Sequence, residues 1–330
     1  MAENQEEGGK IIWKRGRTLG KGGFAFVSLA STEPHSDADP LIPSLIAVKS
    51  CIFSRSHSLQ EETEFLRMCE DCPQVIPCYG VKVTQEDDIL LYNLLLEYAS
   101  AGSLADRLLN NHDELGLPEF QVRKHTKNVL LGLSFIHGKG IIHCDIKPHN
   151  ILLTSDDDDD DTEEVAKIAD FGLSLTLEQS CTQKQGLRGT KRYMAPESLL
   201  NQEYGPKADI WALGCMVYEL ITGTPLWESS NSDPKFDDVL HRIKYEEPNL
   251  ENDKLSTDAK DFLRNCLVKN PNTRWTADML LNHSFLKSAE NVQPAKKRKW
   301  QRGYMSSLRR THQKRAFRTQ PHIRDLVIQH

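Results

Sequence analysis

The sequence lacks the long apolar runs that membrane spans and secretory signals require. Its densest apolar stretch covers only residues 89–96, and the first nine residues are polar and acidic. A transmembrane helix needs about 20 apolar residues, and a signal peptide needs a basic start followed by an apolar core. These absences predict a protein without membrane contact, located in the cytoplasm, the nucleus or both.

Cysteine is present, but without the spacing of a disulfide framework. The eight cysteines stand singly, except that Cys69 and Cys72 have the spacing of half a zinc site. No second pair of cysteines or histidines follows at a matching distance, so we expect a helix-to-strand connection there rather than a metal site. Scattered thiols of this kind are typical of reducing compartments.

Acidic residues are scarce in one part of the chain, the basic tail at residues 288–330. Its eleven Lys and Arg face only Glu290 and Asp325, a net +9, so the total of −6 leaves −15 for residues 1–287. An import receptor or an acidic protein partner would bind such clusters, and a solvated tail is the third interpretation. Nucleic acid is a less favoured partner, because the aromatic residues of the tail are too sparse to stack bases.

The remaining chain divides by composition. An acidic leader at residues 1–9 precedes a strand-rich part, residues 10–98, and a mainly helical part, residues 99–287. Small polar residues at 97–103 separate the two parts, where a two-lobed protein would place its hinge. Periodicity predicts strands at residues 11–19, 45–49, 75–83, 89–98, 151–153 and 165–169, and helices at residues 58–69, 119–137, 208–218, 258–266 and 277–281.

The most informative stretch reads Ile-His-Cys-Asp-Ile-Lys-Pro-His-Asn at residues 142–150, and Asp-Phe-Gly follows at residues 170–172. Chemistry on a metal-bound triphosphate needs a carboxylate for the nucleophile's proton, a cation and oxygen ligands for the metal. Asp145, Lys147 and Asn150 supply these groups at close spacing. Each alone could cap a turn or close a loop, but their joint spacing favours a catalytic role.

A glycine-rich stretch at residues 20–27 precedes a strand that ends in Lys49. Gly20 and Gly22 allow a tight hairpin whose backbone N–H groups can bind phosphates, and Ala25 is small enough to preserve that clearance. Two glycines alone indicate only a plain hairpin, and a lone strand-end Lys is usually solvated. In this order, however, the two features indicate a phosphate-binding turn and amine.

The helix predicted at residues 58–69 offers a partner for this amine. Glu62 lies on the apolar stripe of the helix, so we expect it to face the same lobe interior as Lys49. Glu61 and Glu64 are the alternatives, and their positions favour a solvated surface.

With Ala-Pro-Glu at residues 195–197, the stretch Asp209–Gly214 and Arg274, these motifs resemble a eukaryotic protein kinase over residues 10–287. The resemblance implies an α+β fold with two lobes, a small β-rich N-lobe and a larger, mainly α-helical C-lobe. It also implies transfer of the γ-phosphoryl group of ATP to protein.

The resemblance further implies the roles of the nucleotide-binding residues. Lys49, held by Glu62, would contact the inner phosphates of ATP, while Asn150 and Asp170 would bind Mg²⁺. The remaining ATP-binding residues would be Leu19, Gly20, Lys21, Gly22, Gly23, Phe24 and Ala25 around the glycine-rich turn, the apolar walls Val27, Ala47, Leu96 and Leu152, and the hinge residues Glu97 and Ala99.

The same resemblance assigns catalytic and architectural residues. Asp145 would accept the proton of the substrate hydroxyl, and Lys147 would stabilise the transferred group. Asp209 would hold the backbone of the catalytic stretch, and Glu197 would form a buried pair with Arg274.

One position departs from the kinase pattern: Cys144 stands where the family usually has an Arg that binds a phosphate of the activation segment. The hypothesis that follows is that activity depends little on phosphorylation of that segment. Its candidate hydroxyls are those of Ser174, Thr176, Ser180 and Thr182. The alternative is that another cation, such as Arg188 or Lys191, takes over the role.

Finer features resemble a subgroup. Lys147 and Thr190 are typical of serine/threonine kinases, and residues 97–104 with the His-Cys-Asp variant resemble the plant MEKK-like MAP kinase kinase kinases. That resemblance implies a MAP kinase kinase as the protein substrate. The rival interpretations are a serine/threonine kinase outside this cascade and a pseudokinase-like scaffold, although a scaffold would be expected to have lost Lys49, Asp145 or Asp170.

Overall fold

The computed structural model describes residues 11–33, 42–111, 115–154, 164–182, 186–227 and 236–287. These residues belong to one compact unit. The predicted leader at residues 1–9 and the basic tail at residues 288–330 lie outside the described residues.

The first lobe is built on one antiparallel five-stranded sheet with the strand order β1-β2-β3-β5-β4. Its strands are β1 (Trp13–Lys21), β2 (Phe26–Thr32), β3 (Leu45–Ile52), β4 (Cys78–Glu86) and β5 (Ile89–Glu97). Helix α1 (His57–Met68) packs on this sheet and buries Leu59, Glu62 and Leu66 on one face. An amphipathic helix on a sheet is what the sequence periodicity predicts for this lobe.

The strand predicted at residues 75–83 was wrong at both ends, because β4 spans Cys78–Glu86. Val75 instead forms an isolated parallel bridge with Ile168. The N–H of Ile76 also donates to the carbonyl of Ile168, so this segment hydrogen-bonds to the second lobe. Pro77 follows and has no N–H for a sheet.

The second lobe is mainly helical. Its helices are α2 (Leu104–Leu109), α3 (Glu119–Gly138), α4 (Leu177–Thr182), α5 (Pro196–Asn201), α6 (Pro206–Thr222), α7 (Phe236–Tyr245), α8 (Thr257–Cys266), α9 (Ala277–Leu281) and α10 (Ser284–Lys287). The central α6 is buried around most of its circumference, with Trp211 and Met216 fully enclosed. None of the helices within the described ranges is long and apolar enough to cross a bilayer.

Two short two-stranded sheets belong to this lobe. Strand β6 (Ile141–Ile142) pairs with β9 (Leu175–Thr176), and β7 (Ile151–Thr154) pairs with β8 (Val165–Ile168). The stretch between β6 and β7 carries the His-Cys-Asp motif, and the turn after β8 carries Asp-Phe-Gly. Strand pairing therefore holds each motif at both ends, the first between β6 and β7 and the second between β8 and β9. The fold predicted from the sequence, a β-rich lobe followed by a helical one, is confirmed.

Candidate active site

A three-part ionic contact centres on Lys49. Its Nζ lies 2.9 and 2.6 Å from the two carboxylate oxygens of Glu62, and 2.8 Å from Oδ1 of Asp170. Glu62 is only 2% exposed, whereas Glu61 and Glu64 face solvent. The face that α1 turns towards β3 therefore presents the carboxylate that the sequence pattern selects.

The ionisation of these groups follows from burial and pairing. Burial would lower the pKa of Lys49, but the carboxylates of Glu62 and Asp170 outweigh it and raise that pKa above its usual value. Burial raises the pKa of Glu62 against the opposing effect of Lys49. Burial also acts to raise the pKa of Asp170, but Lys49 outweighs it and the pKa is lowered. The structure therefore holds a cationic amine and an anionic Asp170 in contact.

Asp145 is the most heavily hydrogen-bonded carboxylate of the site. Its Oδ1 accepts from the N–H and the hydroxyl of Thr190, both at 2.8 Å. Its Oδ2 accepts from Lys147 Nζ at 2.6 Å and from Asn150 Nδ2 at 3.0 Å. Lys147 Nζ also donates to the Thr190 hydroxyl at 2.8 Å. Four donors fix the orientation of this carboxylate, which is 6% exposed.

A second carboxylate, Asp209 near the start of α6, fixes the backbone of the catalytic stretch. It accepts the N–H groups of His143 and Cys144 at 2.9 Å each, and it lies 2.9 Å from His137 Nε2. The side chain of Asp209 is 1% exposed, so these partners replace the water that a buried carboxylate would otherwise need. The sequence predicts the backbone contact, whereas it gives no signal for His137.

Cys144 itself adopts a left-handed backbone conformation with φ of 68°. Gly189, with φ of 104°, approaches its carbonyl so closely that a Cβ at this glycine would lie 2.4 Å from that oxygen. The position is therefore restricted to glycine both by its backbone angle and by space. This contact holds Gly189, and with it the following Thr190, directly against the backbone of the His-Cys-Asp motif.

Asn150 and Asp170 fit a divalent metal. Asn150 uses its amide N–H₂ on the backbone and side chain of Asp145, while its amide oxygen accepts no hydrogen bond from the residues that the structure describes. One oxygen of Asp170 contacts Lys49, and its side chain is half exposed. An amide oxygen and a carboxylate are the hard ligands that Mg²⁺ prefers, with phosphates and water completing its shell. Within the described ranges, no group of three or more His, Cys, Asp or Glu could hold a metal.

The predicted adenine walls meet between the lobes. Ala47 and Leu96 pair directly across β3 and β5, and Leu19, Val27 and Leu152 pack partly exposed against the same core. At the hinge, the Glu97 N–H donates to the carbonyl of Pro77, and the Ala99 carbonyl accepts from Gly102. The Ala99 N–H has no acceptor among the described residues, which leaves it available to a ligand edge.

The glycine-rich turn connects β1 to β2. Gly20 and Lys21 still belong to β1, so the turn itself consists of Gly22, Gly23, Phe24 and Ala25. The Gly22 N–H donates to the carbonyl of Ala25 at 2.8 Å and closes the turn. Phe24 at its tip is 89% exposed. The Gly22 N–H is thus used within the hairpin.

Two contacts that frame the site, one ion pair and one set of hydrogen bonds, were not predicted from the sequence. Glu97, expected to contribute only its backbone, also pairs through its side chain with Lys167 at 2.6 Å. Thr190, expected only to mark the enzyme class, is hydrogen-bonded to both Asp145 and Lys147. The two contacts join residues that are far apart in sequence, so no local pattern could have found them.

The buried pair of Glu197 and Arg274 lies behind the site. Arg274 Nη1 and Nη2 donate to the two carboxylate oxygens at 2.7 and 3.0 Å, a bidentate geometry. The remaining N–H groups reach backbone carbonyls, including that of Val268 at 2.8 Å. The guanidinium also lies over the ring of Trp211, so the pair ties α5 to the end of the domain through the central helix.

The comparisons with known proteins agree with this geometry. A family model described as the protein kinase domain matches residues 13–286. Three relatives from Arabidopsis thaliana are mitogen-activated protein kinase kinase kinases. Number 20 is 46% identical over 83% of this chain and 78% of its own length. Number 18 is 41% identical over 84% of this chain and 78% of its own length. Number 17 is 38% identical over 86% of this chain and 71% of its own length.

Proposed function

This chain belongs to the protein kinase family and is a serine/threonine kinase, and on that premise we propose that it is a MAP kinase kinase kinase whose substrate is a MAP kinase kinase. The observation that carries the proposal is the contact of Asp145 with both Lys147 and Thr190, beside the assembled Lys49 and Glu62 pair. The substrate class is supported by three relatives with that name at 38–46% identity.

The protein kinase family uses ATP with Mg²⁺, and the residues present fit both. We propose that Asn150 and Asp170 hold the metal, which would neutralise charge on the phosphate oxygens. Lys49 would contact the inner phosphates, since Glu62 and Asp170 hold its amine in place and raise its pKa.

The chemistry at the substrate side needs a base and a cation. Asp145 would accept the proton of the substrate hydroxyl, and its four hydrogen bonds fix the direction from which it does so. Lys147, which already contacts Asp145 at 2.6 Å, would place its charge beside the transferred phosphoryl group. Positioning of these side chains, rather than covalent catalysis, would supply the rate enhancement.

The test is transfer of radiolabelled phosphate from ATP to purified MAP kinase kinases. The wild type is expected to label Ser or Thr, and Asp145→Asn to lose about 100-fold or more of the rate, the range of general-base catalysis. Lys49→Met should lose transfer similarly, whereas Lys82→Met, on the outer strand β4, serves as the matched control. Transfer that survived both site substitutions would point to a contaminating kinase.

A kinase outside this cascade would label a general protein substrate but no MAP kinase kinase. A pseudokinase-like scaffold would bind nucleotide without labelling either. All four residues are present, Lys49 in contact with Asp170 and Asn150 in contact with Asp145, which supports the enzyme over the scaffold.

For the basic tail at residues 288–330 we propose binding to an import receptor or an acidic protein partner, and with it a cytoplasmic and nuclear distribution. The support is the charge of the tail alone, +9 from eleven cations and two carboxylates. A chain truncated after residue 287 and tagged with a fluorophore should lose nuclear accumulation. Unchanged distribution and partner capture would instead indicate a solvated tail.

A further inference from the structure

The segment that borders the catalytic carboxylate is cationic in an otherwise acidic protein. Between Glu178 and Glu197 the sequence contains no Asp or Glu, and its cations are Lys184, Arg188, Lys191 and Arg192. Residues 1–287, which exclude the basic tail, carry a net charge of −15. A run of cations in such a background is a local electrostatic feature of the site rather than a property of the whole surface.

Two of these cations directly follow, in the chain, the residue that is hydrogen-bonded to Asp145. Thr190 is bound to Asp145 through its N–H and its hydroxyl, and the next two residues, Lys191 and Arg192, begin a 3₁₀ turn. Adjacent Cα atoms are 3.8 Å apart, so both residues lie within about 12 Å of the carboxylate. Both side chains are exposed.

The carboxylates around the cleft are engaged by the protein itself. Asp145 accepts four hydrogen bonds, Asp170 contacts Lys49, Asp106 accepts from Ser103, Glu97 pairs with Lys167, and Glu219 accepts from Tyr193. Arg192, in contrast, has no ion-pair partner among the side chains that the structure describes. The exposed Arg192 therefore presents a positive charge to an incoming peptide, and the exposed Lys191 precedes it in the chain.

We propose that Lys191 and Arg192 are specificity-determining residues that select a substrate segment with acidic side chains close to the accepting Ser or Thr. The inference rests on the proposed kinase function and adds the chemistry of the substrate. Adjacent exposed cations attract carboxylates, and a guanidinium can bind one in a bidentate manner. A basic peptide is rejected by repulsion from the same residues.

The test compares three peptides that differ only in the residues flanking one serine, which are Glu, Gln or Lys. The full chain is first treated with a phosphatase, which is then removed, so that no phosphate of its own occupies the cations. We expect kcat/KM for the Glu peptide to exceed that for the Gln peptide by about tenfold, with the Lys peptide lowest. Because the cations are exposed, the preference should shrink as salt is raised.

Variants assign the preference to its residues. Lys191→Gln with Arg192→Gln should remove the difference between the Glu and Gln peptides, and Lys191→Glu with Arg192→Glu should shift the preference to the Lys peptide. Lys260→Gln with Arg264→Gln, on α8, is the charge-matched control and should retain the wild-type preference. A peptide with phosphoserine in place of one Glu shows whether the site accepts a phosphoryl group as well as a carboxylate.

Equal kcat/KM for the Glu and Gln peptides in the wild type, or a preference that survives in the Gln double variant, would overturn the inference. Transfer to a MAP kinase kinase is measured in parallel. Such transfer without any charge preference would overturn this inference alone. A charge preference without such transfer would overturn the proposed cascade position alone.

Discussion

At the scale of single residues, the active site depends on hydrogen bonds that no sequence neighbour provides. Thr190 lies far along the chain from Asp145, yet its hydroxyl donates to Asp145 and accepts from Lys147. The hydroxyl therefore joins the Asp145 carboxylate and the Lys147 amine. Its removal would leave Asp145 with one donor fewer and Lys147 with one acceptor fewer.

Thr190→Val tests this role, because Val keeps the shape and the backbone N–H that also binds Asp145. A hydrogen bond to a charged group contributes about 1.5–3 kcal/mol, so kcat/KM should fall about 10- to 100-fold. Thr190→Ser retains the hydroxyl and should stay within about threefold of the wild type. Steady-state measurements of kcat/KM on one peptide compare the two variants with the wild type.

Equal losses in Thr190→Val and Thr190→Ser would contradict this explanation, since the serine retains the hydroxyl to which the explanation assigns the effect. Thermal unfolding of each variant serves as the control for folding.

The residue scale also shows what sequence could predict at the site. The pairing of Lys49 with Glu62 follows from helical periodicity, because the spacing of apolar residues in α1 decides which of three glutamates turns inward. The contact of Asp145 with Thr190 and that of Glu97 with Lys167 do not follow, because both depend on how separate elements pack. The family resemblance supplies roles for residues, but not these distances.

At the scale of helices and strands, elements with an apolar pattern of their own were predicted, and the two-residue strands were not. The periodicity of α3 and α6 extends over several turns, whereas β6 and β9 have two residues each and exist through mutual pairing. The strand expected from residue 75 begins at Cys78, because Val75 and Ile76 bond to Ile168. Local apolar pattern cannot tell which partner strand a segment will choose.

The ion pair of Glu197 in α5 with Arg274 predicts that substitutions of these two residues have strongly coupled effects on the free energy of unfolding. Arg274 is 1% exposed and makes two hydrogen bonds to Glu197. Glu197→Ala leaves that guanidinium buried without its counter-charge and should cost about 3–5 kcal/mol of unfolding free energy. Arg274→Met should cost a similar amount, since it also leaves backbone carbonyls without donors.

The double variant should lose clearly less than the sum of the two single losses, because no unpaired buried charge then remains. Chemical denaturation of the four proteins measures the coupling. Additive losses would mean that the two side chains stabilise the fold independently of their ion pair.

Helix α3 carries a buried histidine that predicts acid sensitivity. His125 is 3% exposed and its Nδ1 has no hydrogen-bond partner among the described residues. Burial lowers its pKa from 6.5 to about 4. The unfolded chain therefore binds a proton between these values that the folded chain does not, so stability is full above pH 6.5 and declines as pH falls towards 4.

At pH 5 the loss attributable to this residue is roughly 2 kcal/mol relative to pH 7. His125→Leu should remove that part of the pH dependence of unfolding, whereas His57→Gln, at an exposed position, should leave it unchanged. If the free energy of unfolding of His125→Leu fell as much between pH 7 and pH 5 as that of the wild type, the pH dependence would come from other groups.

At the scale of the whole molecule, the two lobes are joined by contacts that converge on one segment. This segment covers residues 167–170. Lys167 pairs with Glu97, the Ile168 carbonyl accepts from Ile76, and Asp170 contacts Lys49, and all three partners belong to the first lobe. A displacement of that segment would change the pair of Glu97 with Lys167, the hydrogen bond of Ile76 and the contact of Lys49 together. The position of the lobes and the geometry of the site are therefore set by the same residues.

The state of the activation segment is the last consequence of this arrangement. The contacts of Lys49 with Glu62 and of Asp145 with Thr190 are made by unmodified side chains. Of the candidate phosphorylation sites, Ser174 is buried and donates to the His143 carbonyl. The other candidates have engaged hydroxyls as well: Thr176 accepts from Gln179, and Ser180 and Thr182 donate to carbonyls of α4.

We therefore expect two proteins each to retain at least about half of the kcat/KM of the untreated wild type: the phosphatase-treated wild type, and a double variant with Ser180→Ala and Thr182→Ala. The reason is that Cys144 supplies no cation for an added phosphate. Mass spectrometry confirms the phosphate-free state, and Asp145→Asn gives the background. A loss of more than about tenfold, restored by Ser180→Asp or Thr182→Asp, would contradict the prediction. It would then make Arg188, whose guanidinium lies 3.5 Å from the Leu173 carbonyl, the first residue to test as the phosphate-binding cation.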